Sequence, residues 1–434
     1  MRIAFVAAGA AGMYCGSCLR DNALANALHQ LGEEIILIPT YTPLKVDEAT
    51  LSGDRVFFNA IEVYLHDRFP SLRKQRGWIG KLLGSRLLLH FISRFALSTS
   101  PAALGKLTIG MLQGESGSQK RLLTELVDFL QQHIEPDVVH LSSSLFCGFA
   151  REIKRRLHTP VVCGLQGEAL FLAELPEPFQ SEALALIRER AADVDRFCAS
   201  SAYEADQMAT WIGIDRSKID VIHPGIPVED FSRPDAAPSG PRPLTIGFFA
   251  RMSREKGFHL LADAFLRLKA SGEFPGLRLK AAGYLGGKGF RYVAQVKRAL
   301  ARQGVREEVE VLGTVDRGEK LKLFSEIDVF SVPTEFPEPK GIFLLEAMAS
   351  GVPVVQPRHG SFPELIEATG GGLLCEPGNP ESLALALATL LRDGELRREL
   401  GRKGREGALE KFSSRRMAEE TLGLYRKLIP DPVP

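Results

Sequence analysis

Long hydrophobic runs are missing from this 434-residue chain; the longest candidate, 82–95, is broken by Arg86, His90 and Arg94, so nothing in the sequence reads as a bilayer span. Cysteine is scarce, with six residues mostly scattered singly, which excludes a disulfide scaffold and makes a reducing, cytoplasmic compartment the expectation. Net charge is nearly absent: 54 basic against 53 acidic side chains leave a formal +1, which gives no argument for a nucleic-acid partner. A GxGxxG fingerprint is absent after the first strand, which weighs against a nicotinamide cofactor. No repeat with a period of tens of residues is visible. The opening residues, Met1-Arg2-Ile3-Ala4-Phe5-Val6, lack the longer apolar region and cleavage site of a signal peptide and read as a buried strand.

What is present is an ordinary globular composition, 45% hydrophobic and 25% charged, in a chain long enough for two domains. Short β-branched runs alternate with helical patterns throughout. Strands are expected at 3–7, 35–39, 138–141, 161–165, 197–199 and 219–222, then at 244–250, 277–281, 309–312, 329–332, 352–356 and 372–375. Such alternation implies α/β architecture, with parallel, doubly wound sheets and crossover helices. Between the two sets lie Pro224-Gly225-Ile226-Pro227 and the Pro/Gly/Ser-rich 233–243, which can continue neither a helix nor a central strand. The expected divisions are a first domain 1–223, a linker 224–243, a second domain 244–411 and a C-terminal segment 412–434 with a helical pattern.

The richest stretch runs from Glu338-Pro339-Lys340-Gly341-Ile342-Phe343-Leu344-Leu345-Glu346 into a strand. A glycine that opens a helix bares backbone N–H groups suited to a phosphate. Two Glu eight apart on a helix lie roughly two turns apart, so both can face one elongated ligand. Upstream, Phe249-Ala250-Arg251-Met252-Ser253-Arg254-Glu255-Lys256-Gly257 ends a strand and starts a helix. Arg251 and Lys256 there would be fixed cations, suited to a leaving group that gains negative charge in the transition state. Gly283 and Val315 follow two further strands, and Asp316 reads as a helix cap.

These motifs resemble the paired-glutamate signature of retaining glycosyltransferases of the GT-B type, family 4. The resemblance spans nearly the whole chain and is most specific from Leu244 to Val355. It implies two Rossmann-like domains facing across a cleft, closing over a nucleotide diphosphate sugar, with the C-terminal helix crossing back to the first domain. It implies transfer of a hexose to an acceptor hydroxyl of a glycan, a lipid-linked molecule or a small molecule, with no cofactor and no metal. Arg251, Lys256, Glu338 and His140 would be catalytic. Glu346 would accept from ribose hydroxyls and Glu338 would contact the sugar. Gly341, Ile342 and Phe343 would offer backbone amides, with Gly283, Val315, Gly16 and Gly12 completing the donor site. Lys340 stands where the family commonly has Phe or Cys. Competing functions are a glycogen- or sucrose-type synthase of the same fold, or a nucleotide-sugar-binding protein without catalysis.

In the first domain, Gly9-Ala10-Ala11-Gly12-Met13-Tyr14-Cys15-Gly16 follows the first strand where the family has a Gly-rich loop. Cys15-x-x-Cys18 invites a redox or metal reading, which would need partners that the other cysteines do not supply. His140 ends a strand in the family's Pro-Asp-Val-x-His context, and Glu168 follows the next strand as an acceptor contact. Asp193-Val194-Asp195 looks like a metal-binding Asp-x-Asp but is read as a helix-to-strand junction. The segment 68–95 carries seven basic and no acidic residues from Arg68 to Arg94, interleaved with apolar ones. It is either a packing helix with a basic face or a peripheral contact with the inner face of the cytoplasmic membrane.

Overall fold

The computed structural model describes residues 1–9, 16–40, 46, 50–51, 101–231 and 242–429. Gly12, Cys15 and the segment 68–95 lie outside the described residues.

The described chain folds as two compact units, one of residues 1–223 with 418–434 and one of residues 224–417. Each holds a six-stranded sheet in which every pairing is parallel. The first contains β1 (Arg2–Ala7), β2 (Glu34–Pro39), β3 (Val138–Leu141), β4 (Val161–Leu165), β5 (Arg196–Ala199) and β6 (Ile219–Val221), in the order β2-β1-β3-β4-β5-β6. The second contains β7 (Thr245–Phe249), β8 (Arg278–Ala282), β9 (Val309–Gly313), β10 (Val329–Phe330), β11 (Val354–Pro357) and β12 (Gly372–Cys375), in the order β12-β11-β10-β7-β8-β9. All twelve expected strands are present, each within two residues of its expected ends. Runs such as Val161–Leu165 are buried along their whole length, because helices cover both faces of a parallel sheet.

The small differences have local causes. β10 stops after Phe330 rather than at Val332, whose N–H donates to the Gln356 side chain of β11 at 3.2 Å instead of to a backbone carbonyl. β11 begins at Val354 because the N–H of Val352 still closes the preceding helix, on the Ala347 carbonyl at 3.0 Å.

Strand order reverses between β1 and β3 in the first sheet and between β7 and β10 in the second. At such switch points the loops leaving the two strands diverge, and ligands bind in the crevice outside the carboxyl ends. Two chain segments meet within the second unit: Ile226 bridges Ser413 in parallel, with Ile226 N on the Phe412 carbonyl and Ser414 N on the Ile226 carbonyl. The last helix, Ser414–Leu428, follows directly, and its residues from Ala418 belong to the first unit. There Tyr425, fully buried, shares a 2.6 Å hydrogen bond between its hydroxyl and His140 Nδ1.

Tyr425→Phe removes that hydroxyl and leaves a buried ring nitrogen without the bond. We expect it to destabilise the protein by about 1–2 kcal/mol, read as a lower urea midpoint with unchanged slope.

Candidate functional site

The loop after β7 and the loop after β10 are pressed together at the switch point of the second sheet. Gly257 makes this approach possible. Its φ is +76°, and a Cβ there would sit 1.8 Å from the Pro333 carbonyl oxygen, so only glycine fits. The Glu335 N–H donates to the Glu255 carbonyl at 2.9 Å and ties the same two loops. The residue before Gly257 is thereby delivered to a residue of the β10 loop: Lys256 Nζ donates to Glu338 Oε2 at 2.6 Å. The ammonium also lies 4.8 Å from the Phe336 ring centre and 5.4 Å from that of Phe343. Glu338 is 5% exposed. Burial pushes its carboxyl up, but the charges of Lys256 and Lys340 and the bond from Lys256 outweigh it and hold the group below its ordinary value.

Glu338 and Glu346 do not share a helix, as their spacing alone suggests. The helix is Ile342–Ala349, capped by Gly341 at φ +65°, and Glu338 stands in the loop ahead of it. The Leu344 and Leu345 amides bond back to the Gly341 carbonyl, whereas the N–H groups of Gly341, Ile342 and Phe343 have no partner within the helix. They form the positive end of the helix dipole, next in sequence to Glu338 and Lys340. Glu346 lies in the second turn, 6% exposed, and accepts from Lys320 Nζ at 2.9 Å.

The other second-unit candidates ring the carboxyl edge of the same sheet. Arg251 follows β7; its guanidinium is partly exposed and pairs with Glu255 at 2.7 Å, not with either buried carboxylate. Gly283 follows β8, and its N–H donates to the Gly313 carbonyl at 2.8 Å. Val315 follows β9 half-buried against the core. Asp316 caps the helix Arg317–Glu326 in a reciprocal box with Glu319, as its position suggests.

In the first unit, Gly16 is the first residue of the helix Gly16–Gln30. His140 lies within β3, in register with Phe5 of β1 and stacked on its ring at 4.3 Å. It has no exposed surface, since it sits one residue short of the strand end and Tyr425 closes over it. Burial, reinforced by the Arg20 charge, holds the ring well below its ordinary value and therefore neutral. Glu168 is also buried and accepts from the Ser144 N–H at 3.0 Å and the Gln166 N–H at 2.7 Å, so its carboxylate braces the loops after β3 and β4. Asp193 pairs with Arg151 at 3.0 Å and Asp195 with Lys154 at 2.6 Å. Among the described residues no cluster of His, Cys, Asp or Glu could hold a metal. Nor is any described helix long and apolar enough to cross a membrane.

The sequence reading did not single out Lys320 or the ring of Phe336. Lys320 does carry a signal: with Leu323 and Phe324 it completes the buried face of its helix, an unusual place for a lysine. Phe336 carries none, because its role depends on a loop crossing.

Comparison with known proteins adds two adjoining matches. The pattern of Glycosyltransferase Family 4 covers residues 107–230, and that of Glycosyl transferases group 1 covers residues 233–407. A D-inositol 3-phosphate glycosyltransferase of Segniliparus rotundus is 28% identical over 286 residues, 63% of this chain and 62% of that protein. An N-acetyl-alpha-D-glucosaminyl L-malate synthase of Bacillus anthracis is 35% identical over 127 residues, 29% of this chain and 32% of that one. The chain thus spans less than two thirds of the length of either relative. Among solved structures, Anabaena HepE in complex with UDP matches with a TM-score of 0.70 at 18% identity, over 99% of this chain and 100% of that one. Sucrose-phosphate synthase of Thermosynechococcus elongatus matches with a TM-score of 0.70 at 17% identity, over 98% of each chain. At these identities the likeness is one of fold.

The lowered Glu338 carboxyl gives a pH signature. Its contribution to stability is full above the ordinary value of 4.5 and is lost as pH falls through the lowered value. Glu338→Gln should therefore be less stable than the parent at pH 7, by about 1.5–3 kcal/mol, and the difference should shrink steadily below pH 4.5. Paired thermal melts across that range measure it, and a pH-independent gap would contradict the assignment.

Proposed function

Because the chain belongs to the group 1, family 4 glycosyltransferases of GT-B fold, we propose that it moves a hexose from a nucleoside diphosphate sugar to an acceptor hydroxyl with retention of anomeric configuration. The observation that carries this reading is the Lys256–Glu338 pair, set at the switch point of the second sheet beside the bare N-terminus of the helix Ile342–Ala349.

In this reading the diphosphate lies against the amides of Gly341, Ile342 and Phe343. Lys256 and Arg251 meet the charge that builds on it as the glycosidic bond breaks. That charge is greatest in the transition state, so fixed cations aimed at it lower the barrier more than they tighten ground-state binding. Arg251 exchanges its contact with Glu255 for the diphosphate. Glu338, held ionised by Lys256, accepts from hydroxyls of the sugar, and Glu346 accepts from the ribose. Gly283 and Val315 line the base end, and Gly12 and Gly16 are further proposed donor contacts. A diphosphate oxygen takes the acceptor proton on the face from which it leaves, which gives retention. The two cations and the helix N-terminus supply the positive charge this departure needs, without a cofactor or a metal. Glu168 keeps the acceptor-side loops in place, His140 is packed inside the first sheet rather than set against the substrate, and the acceptor hydroxyl belongs to a glycan, a lipid-linked molecule or a small molecule. Cys18, Cys147, Cys163, Cys198 and Cys375 are buried free thiols, which suits a reducing, cytoplasmic setting. The basic segment 68–95 is the proposed site of any peripheral membrane contact.

A thermal-shift screen with UDP, GDP and ADP and their hexose conjugates tests the donor site. One base family should raise the melting temperature, by about 2.7 kcal/mol of stabilisation at a hundredfold excess over Kd. Glu346→Ala and Arg251→Ala should abolish that shift. With the matching donor, Lys256→Ala should slow nucleoside diphosphate release by about a hundredfold or more. A protein that neither shifts with any of these ligands nor releases nucleotide would overturn the reading.

A further inference from the structure

The structure holds a second buried Lys–Glu pair, to whose lysine neither the sequence motifs nor the proposed chemistry gives a role. Lys320 is 2% exposed, and its ammonium donates to Glu346 Oε1 at 2.9 Å. The nitrogen is also held from the side by aromatic rings, 5.4 Å from the centre of Phe231 and 5.7 Å from that of Phe249. Folding alone does not call for this arrangement. Position 320 completes an apolar face with Leu323 and Phe324, and replacing a buried ion pair with well-packed apolar side chains is often neutral or stabilising.

Both partners are anchored. The capping box of Asp316 and Glu319 fixes the start of the helix that carries Lys320. Arg405 bonds the carbonyls of Phe231 and Ala349, and so ties the ring beside Lys320 to the end of the helix that carries Glu346. A carboxylate bound at one oxygen by a fixed donor cannot rotate freely, so the direction in which its second oxygen accepts is set.

We propose that Lys320 is a positioning residue for ribose recognition: it holds the Glu346 carboxylate in the orientation that accepts from the 2′- and 3′-hydroxyls of the donor nucleotide. This rests on the reading of Glu346 as the ribose acceptor. A site built to bond a hydroxyl rejects the analogue that lacks it, because the buried acceptor is then left unpaired. Lys320 thereby sets the preference for ribonucleotides over 2′-deoxyribonucleotides.

The test is calorimetric competition of UDP, GDP and ADP, each against its 2′-deoxy counterpart, on the full chain. The parent should prefer the ribose form of its nucleotide by about tenfold or more. Lys320→Met should bring that preference below about threefold by weakening the ribose form more than the deoxy form, which has only the 3′-hydroxyl to lose. A merely structural role would weaken both forms equally, and a Lys320→Met protein that keeps the full preference overturns the proposal. Glu346→Ala, which removes the acceptor altogether, separates the two levels. If it keeps the preference, the ribose assignment fails and the proposal with it; if it loses the preference while Lys320→Met retains it, only the role of Lys320 fails. Should Lys320→Met not fold, Lys320→Arg decides. Its planar fork keeps the charge but re-aims the carboxylate, so the preference should fall at least about threefold. A preference within twofold of the parent overturns the proposal.

Discussion

A carboxylate taken out of water needs a cation beside it, and that requirement organises the carboxyl edge of the second sheet. Glu338 and Glu346 are both buried, and each accepts from the ammonium of a lysine on a different segment, Lys256 and Lys320. An exposed pair of the same geometry would contribute about 0–1 kcal/mol. Breaking a buried pair by removing one partner costs about 3–5 kcal/mol, because the other charge stays behind without compensation. The loops after β7 and β10 and the helices 317–326 and 342–349 are thus clamped through charges rather than through apolar contact alone. Gly257 and Gly341 serve the same end, since both take backbone conformations that a side chain would strain.

The two sheets share an architecture but use their switch points differently. In the first, Phe5, His140 and Tyr425 stack and bond into a closed, neutral arrangement. Close by, Arg20 is buried 3.7 Å from the Asp21 carboxylate. In the second, the switch point presents paired charges and bare helix amides. Among the described residues, the same fold therefore builds a packed polar core at one switch point and a charged edge at the other.

The fold was legible because its signal is periodic. Twelve short apolar runs separated by helical patterns can hardly be anything but two parallel sheets, and Pro224–Pro227 marks where one set gives way to the other. Within the candidate site, Asp316 was legible because a cap is a local matter of four residues. What escaped depends on the third dimension. The spacing of Glu338 and Glu346 suggested one helix, but Gly341 starts the helix late and leaves Glu338 in a loop. His140 was placed within its strand, but the Phe5 and Tyr425 rings that bury it come from distant parts of the chain. The Phe336 ring meets Lys256 through a loop crossing that no run of sequence records.

The bond between Tyr425 and His140 also bears on the order in which the molecule can be assembled. Its partners lie on either side of the whole second unit, residues 224–417. A chain made from its amino end at about 5–20 residues per second would take on the order of 10–40 s to travel from residue 223 to Tyr425. Throughout that interval His140 faces an unfilled place in its own core, and the second unit, continuous in sequence and closed by the Ile226–Ser413 bridge, has its last residue before Tyr425 is made. The unit synthesised first is therefore the one completed last, and in a nascent chain it depends longest on protection of its apolar surface.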